Sequence, residues 1–499
     1  MTGPYVIAFD AGTSSVRAVI VDERGEIAGI AQQEITQYYP RSGWVEQDAV
    51  EIWERQREVA HQVLADSGIP ASAIAAIGVA NQRETIVVWD RATGEPIHRA
   101  LVWQDGRTAA ECAALLQAGL GERVRQLTGL PIDKYFSASK LRWILDNVEG
   151  ARARAEAGEL AAGTIDTWLA WKLTDGRAHV TDASNASRTL LFDINECAWS
   201  EELLELFAIP RTVLPEVRST SEVYGATGDE AGFDTEIPLA ALVGDQQGAL
   251  FGQACFDTGS VKATYGTGGS VVMNTGDVPT PSESGLLTTI GWKIGDRVTY
   301  ALEGLLFAAG APIRWLRDEL GVIGDAAESE RVAAAVPDSG GVYFVPAFSG
   351  LSSPQWDPYA RALIIGMSQG TGRAQIVRAA IESMSYSYRD VIEVMAKESG
   401  GSLPDLRVDG GAAVNSLHLQ FQADQLGVPV RCSSVMEATA RGAAFLAGLA
   451  VGVWQTVDEL RGFVDTEREY EPMMPAEERD ARYRGWLRAV ERSRDWLEH

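Results

Sequence analysis

Cysteine, histidine and lysine are all scarce in this 499-residue chain. Its four cysteines, Cys112, Cys197, Cys255 and Cys432, stand far apart with no C-x-x-C pair. That spacing argues against a thiolate zinc site or a disulfide framework and suits a reducing cytosol. The histidines, at positions 61, 98, 179, 418 and 499, form no H-x-x-x-H metal pair. Lysine supplies only six of the 43 basic residues, against 69 acidic ones, and the formal net charge is −26. Such a surface repels phosphate groups, so neither nucleic acid nor an anionic membrane is expected as a partner. Long apolar runs are missing too: the longest weakly polar stretch, 442–454, is too short to span a bilayer. MTGPYVIAFD lacks the basic and apolar regions of a signal peptide, and a soluble cytoplasmic protein is expected. Three catalytic signatures are also absent. Without G-x-x-x-x-G-K-[ST] the chain is no P-loop enzyme; without G-x-G-x-x-G after a strand a Rossmann dehydrogenase is disfavoured; and no G-x-S-x-G elbow occurs.

What is present is an ordinary globular composition, 46% apolar and 22% charged, long enough for two to four domains. Strand-like and helix-like runs alternate throughout, which points to an α/β architecture. Val6–Phe9 and Val16–Val21 are β-branched runs around the small polar turn Asp10–Ser15, and they read as a hairpin. A similar unit recurs half a chain later: Ser260–Tyr265, the turn Gly266–Ser270, then Val271–Met273. The repetition suggests a duplicated architecture. Apolar residues at 377, 381, 384, 388, 391 and 395 predict one buried helical stripe over 376–396. A second helix is expected over Val414–Leu426, after the strand Leu406–Val408 and the turn Asp409–Ala412. Free N–H groups at such a helix start suit a phosphate or another polar nucleotide group; an ordinary βα turn has the same sequence.

Three clusters carry chemistry. Asp10–Ser15 sets a carboxylate at a strand end beside hydroxyls, with Arg17 near, as needed to hold Mg²⁺ through water and to meet phosphates. Alone, the same residues read as an Asx or Ser/Thr turn. Asn81–Thr85 follows the apolar strand Ala76–Ala80, and its Arg83 and Glu84 suit polyol hydroxyls or a surface ion pair. Gly244–Gly248 follows the apolar run Leu239–Val243, and Asp245 there is a candidate general base or a helix cap.

Taken together, these clusters and their neighbours resemble the FGGY family of carbohydrate kinases, in its glycerol-phosphorylating branch, over nearly the full length. The motifs are FDAGTSSVRAVI (9–20), GWVEQD (43–48), GVANQRET (78–85), Trp103-Gln104, YFSASKLRWILDN (135–147), GTIDTWLAWKL (163–173) and HVTDASNASRTLLFDI (179–194). They continue with GDQQGALFGQ (244–253), YGTGGSVVMNTG (265–276), WDPYARALIIG (356–366), RVDGGAAVN (407–415) and GAAFLAGLAVGVW (442–454). The resemblance implies two actin-like α/β domains of ribonuclease H type, over 1–252 and 253–499, facing each other across a nucleotide cleft. It implies ATP and Mg²⁺ as cofactors, a small polyol as substrate, and a homodimer or homotetramer.

Residue by residue, the resemblance gives Asp10 and Asp245 to Mg²⁺. It gives Thr13, Ser14, Ser15, Arg17 and Thr267 to the ATP phosphates, and Gly310, Gly411 and Asn415 to the adenosine. Arg83, Glu84, Tyr135 and Asp245 would hydrogen-bond the glycerol hydroxyls, Trp103 would pack on its carbons with Gln246 beside it, and Asp245 would be the base. The chain departs from the family pattern at Ser270, where an aromatic usually packs on the substrate, and its loss enlarges the pocket. Ala11, Gly106, Arg314, Ser352, Ser353 and Gln355 also depart. Family members inhibited by fructose 1,6-bisphosphate use a loop with Gly and Arg where Gly228–Glu236 carries four carboxylates and no cation. Insensitivity to that sugar is expected. Two alternatives remain at this point: a kinase of another polyol or ketose (erythritol, dihydroxyacetone or xylulose), and an actin-like ATP-binding scaffold without phosphotransfer.

Overall fold

The computed structural model describes residues 3–266, 268–401, 403–433 and 437–497. Two mixed sheets organise it. The first is built from β1 (Tyr5–Ala11), β2 (Ser15–Val21), β3 (Ile27–Glu34), β4 (Ile74–Asn81), β5 (Ser221–Ala226) and β6 (Pro238–Gly244), in the order β5-β6-β4-β1-β2-β3. The second holds β7 (Val261–Tyr265), β8 (Gly269–Gly276), β9 (Leu287–Ile294), β10 (Arg297–Leu306), β11 (Leu406–Asp409), β12 (Val430–Ser433) and β13 (Thr466–Tyr470). Their order is β9-β10-β8-β7-β11-β12-β13. The two match strand for strand. In each, an antiparallel hairpin (β1–β2, β7–β8) leads into two parallel neighbours (β4 and β6, β11 and β12). The duplication expected from the two hairpins is therefore present, and β9 is an addition of the second sheet.

Burial explains why these runs are strands. All seven residues of β1 are buried, as befits a strand covered on both faces. Ile7 and Phe9 face α1 (Ala49–Ser67), through Ile52, Trp53 and Val63. Val6 and Ala8 face the opposite way, toward Ala443, Ala444 and Phe445. Those last residues belong to a helix that closely crosses α2 (Asp245–Gly252). The helix over 376–396 is α3 (Arg373–Ser399), with all six stripe residues buried, and it ends at Gly400 in left-handed conformation (φ 64°). The next, α4 (Ser416–Leu426), starts two residues later than the pattern suggests. Val414 closes a 3₁₀ turn, and the Asn415 side chain accepts the His418 N–H at 2.9 Å, which fixes the start. The helix against β1 is α5 (Ala438–Val451); a Cβ added at Gly442 would lie 1.9 Å from the Gly248 carbonyl oxygen of α2.

The β9–β10 hairpin is the unexpected element. Leu287, Ile290 and Tyr300 join the apolar core built from residues 86–213 of the first half. Tyr300 Oη donates to the Ile194 carbonyl at 2.8 Å, and Thr220 N–H to the Lys293 carbonyl at 2.7 Å. The second sheet thus reaches across and seats a hairpin in the first half. Among the described residues, no helix is long and apolar enough to cross a membrane.

Candidate active site

Parallel strands of such sheets present ligand sites at their carboxyl ends. Here β1, β4 and β6 end side by side: Ala11 pairs with Asn81, and Asn81 with Gly244. The three clusters read from sequence follow at those ends, so they are adjacent in space although some 70 and 160 residues apart in the chain.

A cleft of about 1090 Å³ opens there, lined by Thr13, Arg83, Glu84, Trp103, Tyr135, Asp245 and Gln246 from the first half and Thr264, Gly269 and Ser270 from the second. Asp245 opens α2 with about 30% of its side chain exposed. Its Oδ1 forms an ion pair with Arg83 Nε at 3.1 Å and accepts the Gln246 N–H at 2.7 Å. Glu84 holds a left-handed backbone (φ 62°), a strained conformation for glutamate, pinned by Ser137 Oγ donating to its carbonyl at 2.9 Å. Burial raises the Glu84 carboxyl above its usual range, against the pull of Arg188 and Arg83. Trp103 Nε1 donates to Thr13 Oγ1 at 3.0 Å, and its ring lies 5.3 Å from that of Tyr135. Burial also raises the Tyr135 phenol, which stays a neutral donor. The turn carrying Tyr135 is held by buried Lys140, whose Nζ donates to the carbonyls of Lys134, Tyr135 and Phe136.

Asp10 is nearly buried at the end of β1 and bonded to Arg17 Nη1 at 3.2 Å; the same nitrogen meets Glu437 at 3.3 Å. Burial pushes the Asp10 carboxyl up to about 7, opposed by Arg17 and reinforced by the charges of Glu437 and Asp245. A divalent cation at this place would relieve that crowding of anions. Among the described residues no group of three or more His, Cys, Asp or Glu is placed to hold a metal. One or two carboxylates completed by water and phosphate oxygens is, however, the ordinary mode for Mg²⁺, and Asp10 with Asp245 fits it.

In the second half, the Gly266 N–H beyond β7 donates to the Gly268 carbonyl before β8 at 3.1 Å, and Gly310 and Gly410 approach this hairpin closely. The Gly310 N–H donates to the Gly266 carbonyl at 2.8 Å, where a Cβ would also stand only 2.8 Å away. Gly411 follows β11 with open space where its side chain would be, and Asn415 caps α4 beyond it. Gly310, Gly411 and Asn415 do not line the main cleft, which reaches this half through Gly268, Gly269 and Ser270. Thr267 lies outside the described residues. Ser14 and Ser15 are not brought to the main cleft; they line a separate depression with Gln32, Glu34 and Gln37, and Ser15 Oγ accepts Gln32 Nε2 at 3.1 Å.

Sequence reasoning missed three buried charges. Glu303, fully buried in β10, binds Arg83 through Nη2 at 2.6 Å and Nη1 at 3.0 Å. Arg188, equally buried, gives Nε to Glu84 at 2.7 Å and meets Glu303 at 3.0 Å. Burial opposes ionisation of Glu303, yet Arg188 and Arg83 outweigh it and hold the carboxyl at about 2. Lys262, on β7, donates to Gln246 Oε1 and to Thr264 Oγ1. A lone glutamate inside ALEGLLF (301–307) was the available signal, since a charge in an apolar strand needs a partner. Ser270, the departure noted above, is buried, with Oγ 3.4 Å from Glu303 Oε1.

Two duplicated α/β halves thus stand together, with charged and aromatic side chains at the strand ends of one and glycine-rich segments on the other. The chain belongs to the FGGY family of carbohydrate kinases: the family's N-terminal domain model matches residues 5–252 and its C-terminal domain model residues 261–451. It is 55% identical over 492 residues to the glycerol kinase of Halorhodospira halophila, covering 99% of this chain and 97% of that one. It is likewise 55% identical to glycerol kinase 2 of Thermotoga maritima, with 99% of each chain covered. Among solved structures it resembles Plasmodium falciparum glycerol kinase with ADP, at a TM-score of 0.93 and 34% identity over 100% of this chain and 99% of that one.

Proposed function

We propose that this chain is an ATP-dependent kinase that phosphorylates a terminal hydroxyl of glycerol, giving sn-glycerol 3-phosphate and ADP. The observation that carries the reading is the convergence of Arg83, Glu84, Trp103, Tyr135 and Asp245 on one cleft that Gly268, Gly269 and Ser270 of the second half also line. The full-length likeness to two curated glycerol kinases supports it. The two working domains run over 1–252 and 253–499, with α5 and the β9–β10 hairpin crossing between them.

In this reading Arg83, Glu84 and Tyr135 bind glycerol hydroxyls and Trp103 packs on its carbons, with Gln246 beside them. Asp245 accepts the proton of the attacking hydroxyl. That oxygen then bonds the terminal phosphorus of ATP as the bond to the departing ADP oxygen breaks. Thr13, Arg17 and Thr267 meet the phosphates, and Gly310, Gly411 and Asn415 line the adenosine; Ser14 and Ser15, which face a separate depression, are left out of the reading. Mg²⁺, held through Asp10 and Asp245 with water, supplies charge neutralisation at the phosphate oxygens. The rest of the acceleration is alignment and exclusion of water, the competing nucleophile. A smaller alcohol leaves the open donors of Arg83 and the Oε2 of Glu84 without a partner, which discriminates strongly. The four cysteines are free thiols, as a reducing, cytoplasmic setting would keep them.

The test is Asp245→Asn, which keeps shape and removes the base. Glycerol-dependent ADP release should fall by about 10²–10⁴-fold with nucleotide binding retained. Full turnover in that variant would remove Asp245 from the mechanism.

A further inference from the structure

An apolar strand gains nothing from a charge, yet β10 carries Glu303 between Leu302 and Gly304 with no solvent contact. Desolvating a carboxylate and two guanidiniums costs more than an apolar side chain of similar volume, so stability alone does not explain the arrangement. Its geometry does. Asp245, Arg83, Glu303, Arg188 and Glu84 alternate in sign through contacts of 3.1, 2.6, 3.0 and 2.7 Å, and a 3.9 Å approach of Arg83 to Glu84 closes the ring. Four of the five come from the first half of the chain. Glu303 alone comes from the second, on a hairpin seated in the first half through Tyr300 and through the 2.9 Å Ser187–Thr289 hydroxyl bond.

The ring determines what is left for a ligand. A guanidinium has five N–H groups. Arg83 commits both N–H of Nη1 to Glu303 and Gln247 and one of Nη2 to Glu303, while Nε stands 3.1 Å from Asp245 as an ion pair without a hydrogen bond. One N–H on Nη2 is free of partners among the described residues. Glu84 gives Oε1 to Arg188 and keeps Oε2.

We propose that Glu303 is a positioning residue of the acceptor site: by pairing with both guanidiniums it sets which donors of Arg83 and which acceptor of Glu84 are left to read the polyol. It touches no substrate itself. Because its hairpin is seated in the first half, the acceptor site is assembled before nucleotide binds. The proposal rests on the polyol-kinase reading above.

The experiment uses the full chain and the substitutions Glu303→Gln, Glu303→Asp and Arg188→Lys. Glycerol alone is titrated calorimetrically, and KM is measured separately for glycerol and for ATP. In the unaltered chain glycerol binds without nucleotide. In Glu303→Gln, whose amide presents a donor to two cations, glycerol Kd and KM rise at least about tenfold while KM for ATP stays within about twofold. Preference for glycerol over dihydroxyacetone narrows in the same variant, and Glu303→Asp, which keeps the charge, recovers part of both effects. A buried structural role would lower the melting temperature and leave this split absent.

A glycerol KM within about twofold of the unaltered chain in both Glu303→Asp and Arg188→Lys, the gentler pair, overturns the proposal. So does a parallel rise in both KM values. Should the unaltered chain release ADP with another polyol and not with glycerol, the same comparison made with that polyol decides the role of Glu303, so the two readings fail separately.

Discussion

Asp245 has one carboxylate oxygen engaged by Arg83 and by its neighbour's backbone N–H, and still keeps contact with the cleft. Its partner groups are more deeply buried, and their charges are balanced only by one another. Glu303 makes this measurable. Its native pKa of about 2 lies below the ordinary 4.5, so the unfolded chain binds the proton more readily in that interval. Its stabilising contribution is therefore complete above about pH 4.5 and is lost as pH falls through about 2, on the order of 3 kcal/mol in all. Denaturant unfolding of Glu303→Gln and of the unaltered chain, compared from pH 6 down to 3, should show the gap between them shrinking with acid. A constant gap would mean that the charge is not what Glu303 contributes. Asp10, Arg83, Glu84 and Asp245 were legible in the sequence because each ends an apolar run, where a polar residue has no packing reason to be. Arg188 and Glu303 were not: Arg188 sits in the small polar stretch SNASRT, which names no partner, Glu303 lies inside an apolar run, and only tertiary structure brings position 303 to position 83.

The elements that carry the site owe their placement to close backbone contact. At the crossing of α2 and α5, Gly442 meets the Gly248 carbonyl so closely that a side chain would force the helices apart. Gly442→Val should cost about 1–3 kcal/mol by overpacking, read as a lower melting temperature. Because Asp245 heads α2, kcat should fall as well; a variant with unchanged melting and kcat would show that the crossing is slack. The acidic loop 228–236 makes a second case. Lys172 pairs with Glu230, and Arg57 donates to the Glu230 carbonyl at 3.3 Å, so two nearby cations are already engaged by the loop. Turnover should accordingly be unaffected by millimolar fructose 1,6-bisphosphate, and clear inhibition would contradict that reading. At this scale the two β-hairpins and α3 were readable from β-branched runs and a three-four apolar spacing. The seating of β9–β10 in the opposite half was not, because an apolar strand face does not name the surface it packs against.

Across the whole molecule, two matching sheets present their strand ends to a common cleft, with Arg83, Glu84, Trp103, Tyr135 and Asp245 on one side and Gly268, Gly269 and Ser270 on the other. Ser270 leaves room where an aromatic wall is usual in the family, yet it is buried against the Glu303 ring, so polar groups and not a ring face bound that side. Specificity then depends on hydroxyl count and spacing. The most direct measurement is ADP release by the purified chain with Mg²⁺ and ATP over glycerol, dihydroxyacetone, erythritol and xylulose. The highest kcat/KM with glycerol, together with its loss in Asp245→Asn, is the predicted result. ADP release indifferent to any added polyol, or greatest with xylulose, would contradict the account.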